Sequence, residues 1–109
     1  MSLPTPENLG QAPVWENYVI AQAVAASRGQ IPEHALAFGV EVDGSSLRLR
    51  FQLSQITEED RADMDDIVSE LEGLVGKDVE MEFSYEVLEQ RETSPTDGVW
   101  WIFLARVSA

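Results

Sequence analysis

Residues 57–72, TEEDRADMDDIVSELE, hold eight carboxylates and a single cation, Arg61. Carboxylates at this density could act as general acids and bases, bind a divalent metal or attract a cationic macromolecule. Acid–base catalysis gains no support, because 20 acidic residues among 109 make coincidental carboxylate pairs unavoidable. The stretch DRADMDD resembles a calcium loop but lacks the glycine at the sixth position and lies in a predicted helix. We therefore predict a surface for a positively charged partner and no metal site.

The carboxylates of this segment form two rows on a helical wheel. The first row, the acidic ridge, consists of Glu59, Asp63, Asp66 and Glu70. The second row consists of Glu58, Asp65 and Glu72. Like charges at this spacing cost about 0.2–0.5 kcal/mol per pair, and only the first helical turn gains from the helix dipole. The unrelieved repulsion indicates a binding surface; a solvated face that serves solubility is the alternative.

Composition indicates which partners suit the chain. Its 109 residues suit one domain, and a hydrophobic content of 44% is ordinary for a globular protein. The net charge of −13 repels nucleic acids and anionic membranes and attracts basic proteins. The chain has no cysteine, no secretory signal and no apolar run of about 20 residues. We expect a cytoplasmic protein with a flexible arm at residues 1–13 and a single domain at 14–109.

Hydrophobic periodicity predicts the elements that position these charges. It indicates helices at 13–28 and 57–75 and strands at 35–42, 47–53, 79–87 and 98–107. This order predicts an α+β fold in which two helices pack on one face of a four-stranded, mainly antiparallel sheet. The last strand is apolar on both faces, which favours an inner position and the order 1-2-4-3, a permuted ferredoxin-like sandwich. The order 1-2-3-4 is the alternative.

The sheet face away from the helices is a second candidate surface. Strict alternation in the last strand directs four side chains onto this face: Trp100, Ile102, Leu104 and Arg106. Tryptophan and arginine are enriched among the residues that contribute most to protein interfaces. Two other readings stay open: the N-terminal arm covers Trp100, or two copies of the chain dimerise sheet to sheet.

Catalytic motifs are absent from the sequence. His34 is the only histidine, and no serine or cysteine nucleophile signature accompanies it. Glycine-rich phosphate loops and dinucleotide fingerprints are also missing. We therefore predict a protein that is not an enzyme and that uses no cofactor.

Three stretches resemble one group of bacterial proteins. They are IPEHALAFGVEVDGSSLRLRF, the EED…DDIVSELEGL helix and the closing DGVWWIFLAR. Across about residues 14–106 their order resembles small acidic immunity proteins of contact-dependent or polymorphic toxin systems. The resemblance implies a cytoplasmic protein that binds a cognate toxin domain, often a nuclease, and blocks its active site. It assigns no individual site residue.

Physical reasoning is consistent with this expectation. Nucleases present basic clefts, and an acidic inhibitor competes for that field. Complementary charge raises association rates toward about 10⁸–10⁹ M⁻¹s⁻¹ at low salt, which suits rapid interception of a toxin. We expect an immunity-type binding module for a basic protein, contacted through the acidic ridge or the Trp-bearing sheet face. A homodimeric or adaptor domain that uses the Trp-bearing face is the alternative.

Overall fold

A computed structural model of the chain describes residues 12–76, 78–94 and 97–105. The helices are α1 (Ala12–Ser27) and α2 (Glu58–Val75), and the strands are β1 (Ala35–Asp43), β2 (Ser46–Leu53), β3 (Glu80–Val87) and β4 (Trp100–Leu104). Two helices and a four-stranded sheet confirm the predicted α+β class. Residues 1–11 of the predicted arm lie outside the described residues, and α1 begins at Ala12.

The core lies between the two helices and one face of the sheet. Its buried side chains are Trp15, Val19, Ala23, Ala26, Phe38, Val40, Leu47, Leu49, Phe51, Leu53, Met64, Ile67 and Leu71. Phe38 and Phe51, paired across β1 and β2, stack with ring centroids 4.9 Å apart. The indole N–H of Trp15 donates to the carbonyl of Gly44 at 2.8 Å and so joins α1 to the β1–β2 turn.

The strands lie in the order β3-β2-β1-β4, and both predicted orders are therefore wrong. β1 is antiparallel to β2 and to β4, whereas β2 and β3 are parallel, so the sheet is mixed rather than mainly antiparallel. Parallel strands need a long crossover, and α2 supplies it between β2 and β3. β3 consequently occupies one edge, and β4 pairs at the opposite edge.

Glu92 and Val99, from the described parts of the connection between β3 and β4, lie on the sheet face that the helices leave open. Gln52 on this face makes two hydrogen bonds with the backbone of Glu92. Its Nε2 donates to the carbonyl at 2.6 Å, and its Oε1 accepts from the N–H at 2.9 Å. Gly39 on β1 lies directly beneath Val99 and Trp101. β4 is therefore apolar on both faces while lying at an edge, because the connection packs on the face opposite the core.

Gly39 leaves room for this crossing segment, and we predict that an alanine there destabilises the fold. A Cβ at Gly39 would lie 2.6 Å from Val99 Cγ1 and 2.8 Å from the Trp100 carbonyl oxygen. Because the backbone oxygen cannot move alone, we expect Gly39→Ala to lower the free energy of unfolding by about 1–3 kcal/mol in urea denaturation.

Gly73→Ala is the matched control. A Cβ at Gly73, within α2, meets nothing within 4 Å. Alanine also has the higher helix propensity, so we expect this variant to gain about 0.5–1 kcal/mol. Equal effects of the two substitutions would contradict the close approach at Gly39.

Candidate interaction surface

The acidic helix α2 begins with a capping box formed by Thr57 and Asp60. The Thr57 hydroxyl accepts from the backbone N–H of Asp60 at 3.1 Å, and the Asp60 carboxylate accepts from the backbone N–H of Thr57 at 3.0 Å. These bonds satisfy N–H groups that a helix start leaves without intrahelical partners. Glu58, Glu59 and Asp60 lie in the first turn, where negative charge is favourable.

Asp60 is also part of a buried network that the sequence did not reveal. Its side chain is only 1% exposed, and its Oδ2 lies 2.7 Å from His34 Nδ1. Nε2 of His34 lies 2.6 Å from Gln55 Nε2. Burial opposes ionisation of Asp60, but the hydrogen bonds from His34 and Thr57 outweigh it and lower the pKa of the carboxyl. His34 thus connects the turn before β1 to the start of α2.

The acidic ridge lies on the outer surface of α2. Met64, Ile67 and Leu71 bury the opposite side of the helix. Glu59, Asp66 and Glu70 are exposed and Asp63 is partly exposed. Among the described residues no lysine or arginine forms an ion pair with the ridge, and the Glu70 carboxylate accepts a hydrogen bond from Gln30 instead. The fold therefore brings the four predicted residues together and leaves their charge uncompensated.

The second acidic row lies on the side of α2 that faces β3. Arg61 shares this side with Glu58 and Asp65, which lie three and four residues away. The guanidinium of Arg61 lies over the Tyr85 ring, 5.6 Å from its centroid, and donates to the Tyr85 hydroxyl at 2.9 Å. The only cation within α2 thus interacts with a strand rather than with the acidic ridge.

The open sheet face carries a different arrangement, in which arginines are paired with carboxylates. Arg50 contacts Glu41 at 2.6 Å and Glu86 at 3.0 Å. Arg48 contacts Glu82 at 3.1 Å and Glu41 at 3.9 Å. Burial disfavours the charged form of Arg50, but its hydrogen bonds to Glu41 and Glu86 prevail and raise its pKa. Arg48 and Arg50 on the exposed surface of β2 are therefore both held in ion pairs. We call this group, with Glu41, Glu82 and Glu86, the ion-pair ladder.

A shallow cavity of about 330 Å³ lies at one end of this ladder. Its lining residues are Glu41, Asp43, Ser46, Leu47, Arg48, Glu80 and Glu82. Within residues 12–76, 78–94 and 97–105, no group of histidine, cysteine or carboxylate side chains is arranged to hold a metal ion.

The predicted stripe on β4 is interrupted by an irregularity in the strand. Phe38 pairs with Phe103 and Gly39 with Trp101, so Ile102 is an extra residue between them. Paired residues share a face; Trp100 therefore lies with Val40 on the helix side, and Leu104 lies with Ala37 on the open side.

Ile102 packs against the core, so the three predicted side chains do not share one face. Trp100 and Leu104 are both exposed, by 49% and 47%. Arg106 lies outside the described residues. The residue that covers the open side is Trp101, whose indole N–H donates to Asp97 at 2.8 Å.

β3 is the surface that the sequence analysis missed. Phe83, Tyr85 and Val87 alternate with polar residues, a pattern that predicts core-facing side chains, but they are 38%, 38% and 52% exposed. They pair with Leu49, Phe51 and Leu53 of β2, which are buried. The helices therefore cover β2 fully and the adjacent edge strand only in part. The alternation of glutamate with apolar residues gave no signal of this, since it is typical of a half-buried strand.

Comparisons with known proteins gave no family. The chain matches no protein-family model. It also matches no curated protein. Among the described residues, neither helix has the length and apolarity needed to cross a membrane.

The Asp60 network generates a prediction about acid stability. Because the folded-state pKa of Asp60 is lowered, its ionised carboxylate contributes to the free energy of unfolding. This contribution is complete above the unfolded pKa of about 3.9 and is lost as pH falls through the folded value. We expect Asp60→Asn to lower the free energy of unfolding at pH 7 by about 1–3 kcal/mol. The difference from wild type should shrink below about pH 4, as followed by urea denaturation between pH 2 and 7.

Asp63→Asn serves as the control, since Asp63 neighbours this network in the same helix but makes none of its hydrogen bonds. We expect its stability to stay within about 0.5 kcal/mol of wild type. A difference between Asp60→Asn and wild type that persists unchanged to pH 2 would contradict the lowered pKa.

Proposed function

We propose that this protein is a non-catalytic, acidic binding module of the cytoplasm. Its partner in this proposal is a basic protein domain, of which a nuclease-type toxin inhibited by its immunity protein is the best example. The observation that carries the proposal is the unequal distribution of cations. The ridge carboxylates of α2 have no cationic partner among the described residues, whereas the carboxylates of the open sheet face do.

The use of arginine supports this argument. Arg48 and Arg50 are held in the ladder, and Arg61 lies over Tyr85. Arg91 donates to the carbonyl of Ala105 at 2.7 Å. These four side chains are therefore engaged away from the ridge. A partner that supplies lysine or arginine to the ridge relieves its repulsion on binding, and this relief adds to the affinity.

Inhibition follows from competition for a basic cleft. A nuclease binds its substrate's phosphates mainly through lysine and arginine side chains. A helix that carries Glu59, Asp63, Asp66 and Glu70 in one row presents a line of negative charge to the same side chains. Its occupation of the cleft excludes the substrate. The rigid helix needs little ordering on binding, which favours affinity.

A second candidate function rests on the exposure of Trp100 and Leu104. Under this alternative, β4 forms the contact of a homodimer or adaptor domain. Sedimentation of wild type and Trp100→Lys tests it: a concentration-dependent dimer that Trp100→Lys abolishes would favour the alternative. A wild-type monomer at all concentrations would remove the homodimer.

Charge reversal on the ridge tests the primary proposal. We expect the double variant Asp63→Lys/Asp66→Lys to bind the protein encoded by the adjacent upstream reading frame about tenfold or more weakly than wild type. The loss should appear mainly in the association rate, and the salt dependence of the affinity should become shallower. Surface plasmon resonance at several salt concentrations measures both quantities.

Glu16→Lys/Asp43→Lys is the matched control, with the same change in net charge at residues outside α2. We expect it to retain most of the affinity. This result would show that binding depends on where the charges lie and not only on the net charge of the protein. The ridge variant should remain folded, because it removes like-charge pairs that cost about 0.2–0.5 kcal/mol each. Equal binding by wild type and the ridge variant would show that the ridge serves only solvation.

A further inference from the structure

The outer edge of β3 is unusually accessible for a strand of this length. All eight residues are exposed except Met81, which is intermediate. β3 pairs with β2 on one side, and no strand among the described residues pairs with its other side. An edge strand of this kind presents its backbone donors and acceptors to solvent and can pair with another chain.

Two hydrogen bonds identify the backbone groups that face outward. The N–H of Glu80 donates to Ser45 at 2.8 Å, and the N–H of Leu88 donates to Leu53 at 2.8 Å, both toward β2. Because successive residues of a strand direct their backbone groups to opposite sides, the odd-numbered residues face the free edge. These residues are Met81, Phe83, Tyr85 and Val87.

A short length and an irregular register, which protect an edge from pairing, are present on β4 and absent on β3. β4 has five residues and a register shift, and short or irregular edge strands resist pairing. β3 has eight residues in unbroken register with β2, and its sequence EMEFSYEV contains neither proline nor lysine. β3 is therefore the edge that can accept a strand.

The two faces of β3 specify the chemistry of an added strand. Phe83, Tyr85 and Val87 are exposed on the helix side, where they would contact apolar side chains. On the other side, among the described residues, the carboxylates of Glu41, Glu80, Glu82 and Glu86 lie beside the guanidiniums of Arg48 and Arg50. This side remains negative and would favour lysine or arginine.

A second copy of this chain does not suit the edge. A two-fold antiparallel pairing of β3 with itself places the same faces side by side, so the glutamate row of one copy meets the glutamate row of the other. Each copy also carries a net charge of −13. A strand of opposite charge avoids both sources of repulsion.

We propose that β3 is a docking edge for a β-strand of a basic partner, in which lysine or arginine alternates with apolar residues. Backbone hydrogen bonds to the odd-numbered residues of β3 provide the pairing, and the two faces select the side chains. The basic character of the partner rests on the proposed function, whereas the pairing mode rests on the geometry of β3.

The probe is a capped peptide as long as the eight-residue β3, in which arginine and valine alternate. The control peptide has the same composition in two blocks, arginines first and valines second. Nuclear magnetic resonance titration of the full chain gives the dissociation constants, and amide hydrogen exchange locates the contact. We expect the alternating peptide to bind about tenfold or more tightly than the block peptide. It should slow exchange at Met81, Phe83 and Tyr85.

Two variants at Tyr85 isolate the backbone contribution. Tyr85→Val and Tyr85→Pro both remove the contact with Arg61, but only proline removes the outward N–H. That N–H takes no part in the β2–β3 ladder, and an edge strand tolerates proline at such a position. We expect Tyr85→Pro to bind the alternating peptide about tenfold or more weakly than Tyr85→Val. Circular dichroism melting verifies that both variants fold.

Several outcomes would overturn strand addition. These are equal binding of the two peptides, equal binding of the two variants, or no binding of either peptide at millimolar concentration. A wild-type dimer that Tyr85→Pro dissociates would assign the edge to a second copy instead. Both variants leave the acidic ridge intact, so the two proposals fail separately. Partner binding that ridge reversal weakens and Tyr85→Pro leaves unchanged would sustain the proposed function and overturn strand addition.

Discussion

Parallel pairing of β2 with β3 constrains the remainder of this fold. Because parallel neighbours need a crossover, α2 must pass over one face of the sheet before the chain can form β3. β3 then has β2 on one side and solvent on the other. The chain then reaches the free edge of β1 across the second face, on which Glu92 and Val99 of the connection lie. One helix therefore carries the acidic surface and also determines which strand remains at the open edge.

Electrostatics divide the molecule into two unlike surfaces. On the sheet, Arg48 and Arg50 are surrounded by carboxylates within ion-pair distance, so each guanidinium is paired. Arg61 is the only cation within α2, and its guanidinium contacts Tyr85 of β3 rather than the acidic ridge. Between these surfaces lie the exposed aromatic rings of β3. A basic partner with an apolar strand could contact both charge and apolar area at this junction, the combination typical of stable interfaces.

The sequence predicted local structure better than long-range structure, for physical reasons. Helix periodicity and the alternation in β1 and β2 depend on neighbours in the chain, and the corresponding elements lie close to their predicted positions. The place of β4 depends on what covers each face, which apolar content alone does not specify. The ridge depends only on helical spacing and was predictable. The β3 edge was not, because exposure there depends on how far the helices extend across the sheet, and the pairing of His34 with Asp60 joins elements distant in sequence.

The crossing connection also affects the order in which the sheet can be completed during synthesis. β1 pairs with β2 after a short turn. Its other edge stays unpaired until β4 is synthesised, about 60 residues later in the chain. At a typical elongation rate this interval lasts about 3–12 s. During this interval the nascent chain exposes the unpaired edge of β1, including the segment AFGV that is buried in the folded protein. A chaperone or an early partner would therefore have access to this edge of β1 before β4 pairs with it.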